Sequence, residues 1–175
     1  MAEATITRSE GPGGLGRAEA GRLIALLLPL ALLGGALGSQ YLGGLYPCEM
    51  CHWQRWGHYA ALAFALLSFA LRGQPDRGRS FVWLAALAII TSGLVGGYHA
   101  GVEAGIFEGF TQCTAPGGGG SSADILSDIM ATPLVRCDQV QWAFLGISMA
   151  GWNAVVSILS AAVILWLSLR KPKAA

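Results

Sequence analysis

Charge is what this chain has least of. Asp, Glu, Lys and Arg make up 12% of its 175 residues, about half of the ~25% usual in soluble globular domains. Net charge is +1, so no basic or acidic excess points to nucleic acid or to an acidic partner. Cysteine is scarce, with four in all, and no internal repeat is visible. A disulfide-stapled secreted scaffold, a repeat solenoid and a nucleic-acid-binding module are all poor fits to that list.

What is abundant is apolar sequence, at 54%. Four runs are long enough to cross ~30 Å of hydrocarbon at ~1.5 Å per residue: about 23–42, 53–71, 81–102 and 144–169. Pro29 inside the first is tolerable, because a membrane helix can re-satisfy the freed carbonyl locally. The expected fold is all-α: a bundle of four transmembrane helices, with a disordered tail over 1–21, a membrane domain over 22–170 and a short tail over 171–175. The first run superficially resembles a secretory signal. Its long polar leader and the three runs that follow make a retained helix the expectation.

Basic residues set the orientation. Arg8, Arg17 and Arg22 precede the first run, Arg72, Arg77 and Arg79 separate the second and third, and Arg170, Lys171 and Lys173 follow the fourth. By the positive-inside rule both termini and the middle loop are cytoplasmic. The loops 43–52 and 103–143 then face outward, and all four cysteines lie in them, on the side where disulfides persist. The longer loop contains the tract Gly117–Ser122, of linker-like composition, and Ala123–Ala131 has the pattern of a short amphipathic helix able to rest on a membrane surface.

The densest chemistry is Pro47-Cys48-Glu49-Met50-Cys51-His52-Trp53-Gln54-Arg55. Proline just ahead of a helix places Cys48 at its start and Cys51 in its first turn, where free N–H groups and the positive helix end favour a thiolate. At helical spacing Cys48, Cys51, Arg55 and His58 form one polar line entering the membrane. An arginine at that depth costs a few kcal/mol without a partner, which makes Arg55 a candidate to hold a thiolate or to polarise a lipophilic electron acceptor. His99, in Gly96-Gly97-Tyr98-His99-Ala100-Gly101, falls at a similar depth near the end of the third run. His58 is a weaker candidate, and Glu103 reads as a loop carboxylate. A bond between Cys113 and Cys137 would close a sizeable loop, worth about 3 kcal/mol. Four cysteines allow three pairings, and adjacency favours 48–51 with 113–137.

Several of these segments resemble the DsbB family of membrane disulfide oxidoreductases. The likeness lies in Pro47-Cys48-x-x-Cys51 followed by Gln54-Arg55, in Tyr98-His99, and in the long stretch from Cys137 through Gln141-Trp142, Phe144-Leu145-Gly146 and Met149 to Trp152. The resemblance implies a four-helix protein of the bacterial inner membrane, in contact with lipid. Such a protein reoxidises a periplasmic thioredoxin-like partner of the DsbA type and passes two electrons to a membrane quinone, ubiquinone or menaquinone. It further implies that Cys113 forms the mixed disulfide with that partner, that Cys137 is its mate and attacks Cys48, and that Cys51 is released facing the quinone. Arg55 and His99 would match the quinone-site residues. A DsbI-like oxidase with a dedicated partner is the nearest alternative. From another class, a membrane protein binding metal through four cysteines would need a second ligand pair spaced like the first, which Cys113 and Cys137 do not provide.

Overall fold

A computed structural model describes residues 16–73, 76, 78–109 and 135–169. Four helices account for most of it: α1 (Arg17–Tyr41), α2 (Glu49–Ala70), α3 (Arg79–Glu103) and α4 (Met149–Leu169), with a two-stranded hairpin, β1 (Ala143–Phe144) and β2 (Ile147–Ser148), leading into the last. Cys113, the Gly117–Ser122 tract, the amphipathic segment Ala123–Ala131 and the tail 171–175 lie outside the described residues.

α1, α3 and α4 are long and apolar enough to cross a membrane. The fourth expected span, α2, has the length, with 22 residues or ~33 Å. Its first turns carry Glu49, His52, Gln54, Arg55 and His58, and these polar residues dilute its hydropathy. The side chains are sorted as lipid sorts them. Leu27, Leu66, Leu87, Leu94, Leu159 and Val163 point outward, while the packed interior is built from Ala25, Ala61, Ala65, Ala85, Ala86 and Ala161 around Ile89 and Ile164. Without a hydrophobic drive between helices in lipid, small residues let the backbones approach and gain van der Waals contact.

Two boundaries differ from expectation. The tail expected to reach residue 21 is helical from Arg17. There Glu19 bonds Arg22 at 3.2 Å and reaches Arg72, just past α2, at 3.4 Å, so the first turn is tied into the bundle. The fourth helix begins at Met149 rather than near residue 144. Phe144 and Ile147 pair across a tight turn in which Leu145 and Gly146 both have positive φ, 52° and 77°. Two-residue hairpin turns of that hand need positive φ at both central positions, which glycine supplies freely and leucine does not. Ser148 then starts α4, its Oγ accepting from the Gly151 N–H at 3.1 Å.

α3 packs most extensively against α2 and α4, and α1 sits more lightly against α2 and α4. Alternation of direction gathers the end of α1, the start of α2, the end of α3 and the hairpin at one end of the bundle. Arg17, Arg22, Arg72 and Arg79 gather at the other.

Candidate functional site

Cys48 is the residue from which α2 starts. Its backbone is extended (φ −75°, ψ 175°), and its carbonyl accepts from the His52 N–H at 3.3 Å. Cys51 lies one turn in. The Cys48 thiol donates to Cys51 Sγ at 3.1 Å, about 1 Å longer than a disulfide, so the two sulfurs are hydrogen-bonded and not bridged. Cys48 is buried and Cys51 is partly exposed. Donating to the second sulfur, and then burial, push the Cys48 thiol up to about 12, and the neighbouring His99 ring acts in the opposite direction. Cys48 therefore keeps its proton and Cys51 is the sulfur placed to carry charge.

His99, on α3, is buried with its Nε2 3.6 Å from Cys48 Sγ. Its other nitrogen, Nδ1, accepts from the Gln54 amide at 3.0 Å, which leaves the Nε2 proton facing the sulfur. Gln54 Oε1 in turn accepts from Asn153 Nδ2 on α4 at 2.8 Å, and Asn153 Oδ1 accepts from His58 Nε2 at 2.9 Å. The donors thus run in one direction, from His58 through Asn153, Gln54, His99 and Cys48 to Cys51. Bonds aligned head to tail polarise one another, and their positive ends all point toward the last sulfur. Ser92 buttresses the chain, its Oγ donating to the Gln54 carbonyl at 2.9 Å. Gly96 makes room for it: a Cβ there would fall 2.9 Å from the Ala150 carbonyl and 3.1 Å from Gln54 Oε1.

Arg55 is buried but does not bond Cys51. Its guanidinium spans to α1, donating to Gln40 Oε1 and, at 3.0 Å, to the Ala36 carbonyl. The C-terminal end of a helix carries partial negative charge, so the arginine gains a compensating partner at membrane depth. Glu103, expected to be a loop carboxylate, is the last residue of α3 with a side chain only 8% exposed. Its Oε1 is 3.7 Å from His99 Nε2, and Oε2 has no hydrogen-bond partner.

Cys137 is buried beside Cys48, packed with Met50 and Val102, and its main chain bonds the His99 ring. Arg136 and Asp138 flank it as an exposed ion pair. Two cysteines from separate loops therefore share one apolar pocket, and Cys113 lies outside the described residues.

One cavity of about 650 Å³ joins most of these groups. Ala31, Leu32, Gly35 and Ala36 of α1 line one side, and Cys48, Cys51, Arg55, His58 and His99 line the other. That volume falls within the range of small-molecule sites, and its make-up is typical: an apolar wall with a few convergent polar groups. The residues that the sequence reading missed are Gln54, Asn153, Gln40 and Glu103. Each contributes through a contact distant in sequence or through its place at a helix end. Only Gln54 had a local signal, one position before Arg55.

Comparison with known proteins gives one answer. A "Disulfide bond formation protein B" of Aromatoleum aromaticum is 32% identical over 152 residues, covering 80% of this chain and 86% of that protein. Proteins of the same name from Acinetobacter baumannii and Xanthomonas oryzae pv. oryzae are 29% identical over 158 residues (83% and 89% covered) and 31% over 145 (76% and 80%). No solved structure matches. The family model described as "Disulfide bond formation protein DsbB" matches residues 18–167, and with that span of agreement the chain belongs to the DsbB family.

Proposed function

We propose that this protein is a quinone-dependent protein thiol:disulfide oxidoreductase that reoxidises a thioredoxin-like dithiol partner of the DsbA type outside the cytoplasm. The observation that carries the reading is the shared cavity: a dithiol, a buried arginine and a buried histidine open onto one apolar wall. A flat, lipophilic carbonyl compound fits that donor set, with Arg55 and His99 as the residues that would hold its polar face and His58 in a lesser role. A bound quinone supplies a two-electron, two-proton acceptor.

The chain's own part is thiol exchange. The partner's thiolate attacks Cys113 of a Cys113–Cys137 disulfide, forming the mixed disulfide and releasing Cys137 as a thiolate. A thiolate at Cys137 attacks Cys48, which breaks the Cys48–Cys51 bond, joins 137 to 48 and releases Cys51 as the leaving thiolate. The leaving sulfur lies in the first turn of α2, where free backbone N–H groups and the positive helix end favour its departure as an anion. The partner's second thiolate then attacks the mixed disulfide, so that the partner leaves oxidised and Cys113 is freed. Cys113 attacks Cys137, which re-forms 113–137 and releases Cys48, and the reduced Cys48 and Cys51 would give two electrons and two protons to the acceptor as their own bond re-forms. Net, one dithiol becomes a disulfide and one acceptor gains two electrons and two protons. The bias of basic residues toward one end supports, by the positive-inside rule, a bacterial inner-membrane protein with both termini cytoplasmic and the cysteine loops outside.

The test is turnover. Purified protein with a reduced thioredoxin-like partner should reduce an added soluble quinone analogue. Replacing Cys48, Cys51, Cys113 or Cys137 singly by serine should abolish steady turnover while leaving the fold intact. Normal turnover in Cys48→Ser would overturn the relay, and partner specificity across several thioredoxin-like proteins would separate a general oxidase from a dedicated one.

A further inference from the structure

The cysteine spacing argues against a site built from all four sulfurs, but the fold assembles a different donor set. Cys48 Sγ, Cys51 Sγ and His99 Nε2 lie within 4.8 Å of one another. Glu103 adds a carboxylate 3.7 Å from the same nitrogen. We propose that the reduced form of this site binds one Zn²⁺, or a similar soft divalent ion, through Cys48, Cys51 and His99, with Glu103 as the neighbouring carboxylate.

The geometry suits a tetrahedral ion. With metal–sulfur bonds of ~2.3 Å and bonds to nitrogen and oxygen of ~2.0–2.2 Å, neighbouring ligand atoms sit about 3.4–3.8 Å apart. The separations here are 3.6 Å for Cys48 to His99 and 3.7 Å for His99 to Glu103. Only the sulfur pair, at 3.1 Å, is closer, and rotation of the partly exposed Cys51 side chain opens it. The independent sign of a ligand is Glu103 itself. A carboxylate oxygen buried without a hydrogen-bond partner, in a side chain 8% exposed, is costly unless something positive meets it.

The surrounding network can accommodate the change. A metal on Nε2 requires the proton of His99 on Nδ1, so an acceptor must face that nitrogen. Turning the Gln54 amide presents Oε1 to it. Asn153 can turn in the same sense, and the chain ends at His58 Nδ1, which is buried and has no partner. That free nitrogen takes up the proton when the direction of donation reverses. Metal binding displaces the Cys48 thiol proton, involves no change of oxidation state, and holds both sulfurs away from disulfide exchange. The ion is thus a reversible inhibitor selective for the reduced protein, and it reaches the site through the cavity onto which Cys51 opens.

The inference needs no partner protein and no electron acceptor, so failure of the relay leaves it standing. The experiment uses the full chain, purified in detergent, reduced and freed of metal by a chelator, then titrated with Zn²⁺ against a competing chromophoric chelator. One ion per chain is expected, with affinity reduced at least ~10–100-fold in His99→Gln and reduced in Glu103→Gln. Gln54→Glu should bind at least as tightly as the wild type, since a carboxylate accepts better from the ring N–H. The Cys113→Ser, Cys137→Ser double variant should bind like the wild type. As a check free of substitutions, saturating Zn²⁺ should protect Cys51 from alkylation, read by mass spectrometry. Absence of stoichiometric binding, unchanged affinity in His99→Gln, loss of binding in the double variant, or unprotected Cys51 in the wild type would each overturn the proposal.

Discussion

The two ends of this bundle are held together by opposite means. At the basic end the interior is alanine, with Ala25, Ala61, Ala65, Ala85 and Ala161 all at 0% exposure, and stability there comes from close backbone approach. At the cysteine end the interior is polar. His58, Gln54, His99 and Ser92 are all buried, and stability comes from satisfying donors and acceptors in order. Packing of the first kind tolerates exchange among small apolar residues. The second kind does not, because an unmatched buried polar group costs about 1–3 kcal/mol. The candidate site sits where the tolerance is lowest.

Probing the polar end should give the larger responses, and the largest concerns its two sulfurs. With Cys48 held up near 12, its thiolate fraction at pH 9 is several hundredfold (~500) below that of an unperturbed thiol. Alkylation mapped by mass spectrometry at pH 8–9 should label Cys51 well ahead of Cys48. The sign for stability follows: a thiol whose value is raised on folding favours the folded state below about 9, and that contribution is lost as pH climbs from 9 toward 12. Comparable labelling of both sulfurs would mean that the Cys48 thiol does not donate as described.

Next comes Arg55→Ala, which removes charged hydrogen bonds of about 1.5–3 kcal/mol. The apparent KM for a quinone analogue should rise ~10–100-fold, with a much smaller change in the KM for the dithiol partner. Arg55→Lys should recover only part of this, since a point charge cannot bridge Gln40 and the Ala36 carbonyl at once. An equal effect on both substrates would show the arginine to be an anchor between helices.

A sharper contrast uses one substitution in two places. Gly96→Ala drives a methyl group against the Ala150 carbonyl and Gln54, whereas a methyl at Gly34 meets nothing within 4 Å. The first should cost about 1–3 kcal/mol, and the second should be neutral or slightly stabilising. Thermal unfolding in detergent distinguishes them, and equal Tm values would show that the close approach at Gly96 is not rigid. The smallest effect is expected at the hairpin. Leu145→Asn relieves a positive φ that leucine resists, and should add about 0.5–1 kcal/mol.

The sequence carried the features that depend on local period. Hydropathy marked the runs that became α1, α3 and α4, and a spacing of three and four residues put Cys48, Cys51, Arg55 and His58 along one side of one cavity. It could not carry pairings made across the bundle. Asn153 reads as an isolated polar residue in an apolar run until α4 is laid against α2. Glu103 reads as part of a loop because the sequence gives no sign that α3 extends that far and turns the carboxylate inward. The hairpin escaped detection for a different reason: Phe144 to Met149 is apolar but for Ser148, and length alone does not separate a short strand pair from a first helical turn.

That hairpin also fixes something the helices leave open. Trp142 stacks on Phe144 with centroids 6.2 Å apart, Phe144 tilts against Trp152 at 6.3 Å, and the Trp152 indole donates to the Phe144 carbonyl at 3.0 Å. With Tyr41, Tyr46, Trp53 and Trp56 exposed near the same end, these rings form a collar of the kind that settles at the boundary between headgroups and acyl chains. A collar on one rim makes that boundary the waterline from which everything beneath is measured. In a thicker or thinner bilayer the bundle would tilt or the far rim would shift, while the paired sulfurs would keep their draught.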